Sequence, residues 1–183
     1  MIEVIDNFIK DTRILSDIEW DSSFWNRKGF YYYYKGTPAN TLKKRIINYI
    51  WSRCPQKHDT VAYEYWTHKI YAEGIGVHKK KLPPHRDTDE QTYIRDKVET
   101  LYPNYGCVYY PVENDVEGGN LVLHLEDGEK IEVEPKKNRL VWFPSGQIDH
   151  EILPVTRGTR YSLAINTWNY ENYTMRMGLG NYE

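Results

Sequence analysis

The chain has 183 residues, with 24 Lys and Arg against 26 Asp and Glu, which suits one domain with a real core. A formal charge of −2, spread without a basic stripe or a block of like charge, excludes an electrostatic nucleic-acid surface and a charged tail. Only two cysteines, beside 17 Tyr and 6 Trp, exclude a disulfide framework and favour a β-rich domain in a reducing, cytosol-like compartment.

Residues 2–9 read as a short strand leading into a turn. Asp11 then caps a short helix on which Ile14, Leu15 and Ile18 share a face. This opening lacks the basic segment, apolar run and cleavage site of a secretory signal, and no stretch has the length of a membrane span. A cytoplasmic protein with no membrane partner is therefore expected. The aromatic stretch 20–35, with Phe30-Tyr31-Tyr32-Tyr33-Tyr34, predicts a strand. Thr37-Pro38 predicts a helix, Thr as N-cap and Pro at the first helical position, with Leu42, Ile46, Ile47 and Ile50 as its apolar face and Cys54-Pro55 at its end.

From 61 to 71 the alternation is that of a strand. Gly74 and Gly76 break it, and Lys79-Lys80-Lys81-Leu82-Pro83-Pro84 reads as a basic, proline-stiffened loop. Residues 88–104 are polar, with a short helix over 92–101. Short strands follow at 107–112, 120–125, 130–133, 140–143, 150–154 and 161–168, with a turn at 113–119, a hairpin at Asp127-Gly128 and a turn at Arg157-Gly158-Thr159. Such a series means a sandwich or a barrel.

The chemistry-bearing residues fall in two places. His85-Arg86-Asp87 puts a histidine and a carboxylate two residues apart, on one side of an extended chain. His150 would come from another strand. Two imidazoles and one carboxylate on one face of a metal leave the opposite face open, the ligand set of a non-haem iron(II) oxygenase. Asp89 rivals Asp87, but the His-x-Asp spacing favours Asp87. Arg160, ten residues beyond His150, starts a row with Ser162, Ala164 and Asn166 that looks like a cavity wall, while Tyr161, Leu163 and Ile165 form a packing row. An arginine there is the natural grip for a dicarboxylate. His58, His68, His78 and His124 have no carboxylate two residues on and read as structural, His124 being the outside candidate.

Together these features resemble the iron(II)/2-oxoglutarate-dependent dioxygenases, and among them the prolyl 4-hydroxylase-like group. The resemblance is carried by Tyr71-Ala72-Glu73-Gly74, His85-Arg86-Asp87, Cys107-Val108-Tyr109-Tyr110, Gly118-Gly119-Asn120-Leu121, Asn138-Arg139-Leu140-Val141-Trp142-Phe143 and His150 through Arg160-Tyr161-Ser162, in family order over residues 60–168. The opening Val4-Ile5-Asp6-Asn7-Phe8 is also similar to the start of such domains. The resemblance implies an α+β, mainly β fold, a double-stranded β-helix with N-terminal helices packed outside. It implies a single domain over 1–183, residues 1–58 supporting a catalytic barrel at 60–168.

It further implies that His85, Asp87 and His150 bind Fe(II), that Arg160 pairs with the distal carboxylate of 2-oxoglutarate, and that Tyr110 donates a hydrogen bond to it. Tyr71 would line the cofactor site and Leu121 would pack on the cofactor's methylenes. The implied reaction uses O2, admits ascorbate as a reductant, hydroxylates an unactivated C–H bond and releases succinate and CO2. The expected partner is a peptide or protein, with proline as the favoured residue. A free amino acid or other small metabolite is the alternative, and a non-catalytic cupin-like binding module is the reading from another class. Two departures bear on the substrate side. Asn166 stands where the family commonly has an aromatic residue, and the 88–104 segment is longer than expected.

Overall fold

Alternation of side chains along two long segments sets the architecture. The computed structural model describes residues 1–20, 22–25, 29–54, 59–72, 81–97 and 99–178. Its strands are β1 (Glu3–Ile5), β2 (Tyr31–Tyr34), β3 (Ala62–Tyr71), β4 (Leu82–His85), β5 (Tyr105–Tyr110), β6 (Val116–Gly118), β7 (Leu121–His124), β8 (Lys130–Val133), β9 (Arg139–Phe143), β10 (Asp149–Ile152) and β11 (Val155–Trp168). The helices are α1 (Thr12–Trp20), α2 (Leu42–Trp51), α3 (Glu90–Asp96) and α4 (Tyr173–Arg176), with a 3-10 turn at Ser22–Trp25. The major sheet runs β1-β9-β5-β11-β3-β2, with β6 pairing the start of β11. The minor sheet runs β4-β10-β7-β8, and all pairings are antiparallel.

Two cores follow from the period-2 pattern. On one side of the major sheet, Tyr63, Tyr65, Tyr109, Leu140, Trp142, Leu163 and Ile165 meet Leu42, Ile46, Ile47 and Ile50 of α2 and Ile18 of α1. Between the sheets, Val108, Tyr110, Val141 and Phe143 pack against Leu121, Leu123 and Val133. The result is mainly β with helices outside, as expected. Among the described residues no helix is long and apolar enough to cross a membrane. Cys54 and Cys107 are both thiols outside any disulfide, buried in the helix-side core.

Several local expectations are corrected. The stretch 20–35 is not one strand, because among its described residues only Tyr31 to Tyr34 find ladder partners on β3 and Ser22–Trp25 forms a 3-10 turn. Helix α2 begins at Leu42 rather than after Thr37. Thr41 is its N-cap and accepts from the Lys44 amide, whereas Thr37 closes a turn by donating from its amide and hydroxyl to the Tyr34 carbonyl. The helix expected over 92–101 starts earlier and stops sooner, at Glu90–Asp96. Asp89 caps it, and Lys97 ends it in a left-handed conformation at φ 57°.

Leu82-Pro83-Pro84 belongs to a strand and not a loop. Prolines are tolerated there because β4 is the edge of its sheet. Lys79, Lys80, Glu73, Gly74, Gly76, His58 and His78, which figured above, lie outside the described residues. Arg157-Gly158-Thr159 is not a turn but part of β11, where Arg157 and Gly158 pair β6 just past a bulge between Val155 and Arg157; β6 is a strand hidden in the expected turn at 113–119. The chain instead crosses from the minor to the major sheet at Leu153-Pro154.

Candidate active site

The two histidines are brought together by strand pairing. His85 ends β4, and it lies directly across from His150 on β10. Cross-strand partners share a face, and the imidazole centroids are 4.3 Å apart. Asp87 follows the edge strand, held by its amide donating to the Ser145 carbonyl at 3.1 Å. Its Oδ1 lies 3.8 Å from Nε2 of both His85 and His150. Ligand atoms of the three residues all lie within 4.8 Å of one another, close enough for one ion. Asp89 is drawn away from this cluster by capping α3.

The histidines are oriented for coordination. Nδ1 of His85 donates to the Pro83 carbonyl at 2.8 Å, and Nδ1 of His150 to the Ile148 carbonyl at 3.1 Å, since a carbonyl can only accept. That tautomer leaves both Nε2 lone pairs facing Asp87. Burial lowers the pKa of His150, with the Asp87 charge opposing and His85 reinforcing, which favours the neutral imidazole a metal needs.

From this triad a narrow pocket runs between the sheets, lined by Leu121, Val108, Phe143, Ser162, Ala164 and, at its end, Arg160. Arg160 is 0% exposed. Its Nε donates to the Gly119 carbonyl at 2.8 Å, one terminal nitrogen to Ser162 Oγ at 2.6 Å and the other to the Tyr110 hydroxyl at 3.0 Å. All three partners are neutral, so among the described residues this buried guanidinium has no counter-ion. A permanent charge kept dry in that way calls for an anion. Tyr110 and Ser162 accept from Arg160, so their own hydroxyl protons remain to be donated to the same anion. The donor set and the orphaned cation therefore fit an iron ion chelated at one end of the pocket and a carboxylate held at the other.

Of the site residues expected from sequence, His85, Asp87, His150, Arg160, Tyr110 and Leu121 converge on this pocket or its arginine. Tyr71 does not. On β3 the even-numbered residues face the cavity, and Tyr71 lies on the opposite face, with the Lys69 ammonium 5.1 Å from its ring. His124 also lies outside, paired with Glu151 at 2.9 Å. His68 was read as structural but lines the cavity beside Trp66, whose indole N–H meets its Nε2 at 3.0 Å. Pairing places His68 opposite Ser162. That register is a tertiary fact with no local signal.

Outside the triad the pocket opens into a cleft of about 720 Å³. Phe30, Tyr32, Glu64, Trp66, Asp89 and Trp168 are among its lining residues. Asn166, the departure noted above, sits where pocket and cleft meet and accepts from Ser145 Oγ at 2.8 Å through its side-chain oxygen.

Comparison with known proteins agrees with this geometry. Residues 70–168 match the model of the 2OG-Fe(II) oxygenase superfamily. A search of curated proteins matched none of them. Among solved structures, a prolyl-4-hydroxylase from Pseudomonas putida is similar over 91% of this chain and 83% of its own, at 18% identity and a TM-score of 0.61. A prolyl hydroxylase from Trichoplax adhaerens, solved with a hypoxia inducible factor oxygen degradation domain peptide fragment, is similar over 92% and 83%, at 13% identity and a TM-score of 0.54. The viral collagen prolyl hydroxylase of Paramecium Bursaria Chlorella virus-1 is similar over 91% and 89%, at 17% identity and a TM-score of 0.53. At these identities the likeness is one of fold, the double-stranded β-helix.

Proposed function

The chain belongs to the 2OG-Fe(II) oxygenase superfamily, and we propose that it hydroxylates an unactivated C–H bond of a peptidyl residue, proline being the candidate its structural neighbours suggest. Membership makes it a dioxygenase and implies Fe(II), 2-oxoglutarate and O2. Residues 1–58 would act as support, with β1 extending the major sheet and α2 covering its outer face, and 60–168 as the catalytic barrel of one domain. The two buried thiols suit a reducing, cytoplasm-like compartment, and ascorbate would serve as an accessory reductant.

The observation that carries this reading is the buried, counter-ion-free Arg160 closing a pocket whose mouth is the His85–Asp87–His150 cluster. Bound iron and 2-oxoglutarate supply oxidising power from O2, with succinate and CO2 released. The chain's own residues hold and orient. His85 and His150 present Nε2, and Asp87 offsets part of the metal's charge. Arg160 and Tyr110 hold the far carboxylate of the co-substrate, and Leu121 with Val108 and Phe143 keeps water from its methylene chain. The cleft of about 720 Å³ beside the triad supports a peptide substrate over a fully enclosed metabolite.

The test is anaerobic addition of Fe(II) and 2-oxoglutarate. A weak visible charge-transfer band and a raised melting temperature are expected, followed by substrate-dependent succinate release when air is admitted. Neither band nor thermal shift in the folded protein would defeat the reading.

A further inference from the structure

The floor of the site is one face of the β3–β11 pair, and its charge changes along its length. Arg160 lies opposite Ile70, Ser162 opposite His68, Ala164 opposite Trp66 and Asn166 opposite Glu64. Arg160 and Asn166 are thus roughly 20 Å apart at about 3.3 Å per residue. A buried cation closes the inner pocket, and a carboxylate stands at the cleft end of the same floor.

Glu64 is half-buried in that cleft. Its Oε1 accepts from the Tyr32 hydroxyl at 2.9 Å and its Oε2 from the Trp168 indole N–H at 3.1 Å, both neutral donors. Burial pushes its pKa up to about 7. Among the described residues, the charges named as acting on it are those of Asp87 and Asp89, both anionic. Asp89, also lining the cleft, is only 5% exposed. Its Oδ1 accepts from the Thr92 amide, and among the described residues its buried Oδ2 has only the neutral Tyr170 hydroxyl beside it. Glu90 adds another carboxylate to the wall. Arg86 faces the same space, but its Nε is turned to Asp149 Oδ1 at 2.7 Å.

Carboxylates partly or wholly withdrawn from water, facing one cavity with neutral partners, are costly unless a cation joins them. Among the described residues the His85–Asp87–His150 group is the metal-competent cluster, so Glu64 and Asp89 are not arranged for a metal. The same wall also carries four aromatic side chains, Phe30, Tyr32, Trp66 and Trp168. Ring faces beside carboxylates suit an organic cation, which is bound by charge and by the ring quadrupole together.

We propose that the outer cleft selects a substrate carrying an organic cation, an ammonium or guanidinium group, seated beside Glu64 and Asp89 against the aromatic wall. This deepens, and rests on, the hydroxylase reading above. The co-substrate's anion would be held at one end of the floor and the substrate's cation at the other, with the triad between them.

The test uses the full chain with Fe(II) and 2-oxoglutarate. Probes are proline-containing peptides in which one residue is lysine, arginine, acetyl-lysine or norleucine, with free lysine and free acetyl-lysine in a second arm. Binding is read by tryptophan fluorescence under argon, and succinate release in air. The charged probe of at least one arm should bind about ten-fold or more tighter than its neutral counterpart. The arm that shows it names the source, peptide or free amine. Glu64→Gln should lose most of that preference. Equal binding of charged and neutral probes in both arms, or binding by neither, overturns the inference, and this comparison on the wild type needs no variant to fold. A preference that survives in both Glu64→Gln and Asp89→Asn overturns it as well. If the charge-transfer band and the 2-oxoglutarate thermal shift persist in those cases, only the cation inference has failed. If they too are missing, the hydroxylase reading has failed beneath it.

Discussion

At the residue scale, what matters is charge held away from water, and Glu64 makes a prediction separable from any substrate. Burial chiefly, with Asp87 and Asp89, raises its pKa from 4.5 to about 7, against the lowering effect of the Tyr32 and Trp168 hydrogen bonds. Between those two pH values the folded chain keeps a proton that the unfolded chain has released. The protonated site's contribution to stability is therefore complete below pH 4.5 and lost as pH rises through about 7. Glu64→Gln has no proton to lose. Its melting temperature should gain on the wild type between pH 5 and pH 8, by the equivalent of roughly 2 kcal/mol. Parallel melting curves for the two proteins across that range would show that the Glu64 carboxylate is solvated. Single residues also mark the limit of what the sequence reveals. His85 and Asp87 are two positions apart, so local geometry could pair them. Whether Tyr71 or His68 reaches the site turned on which parity of β3 faces inward. That parity depends on a partner strand 94 residues away in the sequence (162 minus 68), His68 facing Ser162.

At the scale of elements, a good local signal can lose to packing. Thr37-Pro38 offers a helix start. The one used is Thr41, which sets Leu42, Ile46 and Ile50 onto the outer face of the major sheet. The glycine in Arg157-Gly158-Thr159 was legible as an irregularity, but its kind was not. Gly158 lies inside β11 just past a bulge between Val155 and Arg157; it sits at φ +75°, and a Cβ would lie 1.8 Å from the Asp115 carbonyl oxygen. Gly158→Ala should therefore destabilise the fold by roughly 2–4 kcal/mol, since the residue can neither keep that backbone conformation cheaply nor escape the contact. Arg160 is two residues on, so affinity for 2-oxoglutarate should fall with it. A urea unfolding midpoint equal to the wild type's would mean that β6 moves aside freely and that the backbone at Gly158 is not fixed by this contact.

For the whole molecule, the decisive point is that the site is divided between the two sheets. His85 and His150 come from β4 and β10 of the minor sheet, with Asp87 just beyond β4, whereas Arg160 comes from β11 and Tyr110 from β5 of the major sheet. Iron alone would fasten parts of the minor sheet to one another. A 2-oxoglutarate chelated to that iron and gripped by Arg160 would tie the minor sheet to the major one. Each ligand should then improve the other's binding, and linkage requires that the improvement be mutual. Thermal denaturation should show a rise with Fe(II) and 2-oxoglutarate together that exceeds the sum of the separate rises. In Arg160→Ala the rise with Fe(II) should survive, while the excess disappears and 2-oxoglutarate affinity drops about 100-fold, the order expected for removing one member of a buried charge pair. In His150→Ala both the iron rise and the charge-transfer band should be absent, because one imidazole and one carboxylate are too few to hold the ion. Purely additive rises in the wild type would mean that the co-substrate binds without bridging the sheets, and the opposed placement of Arg160 and the triad would lose its functional meaning.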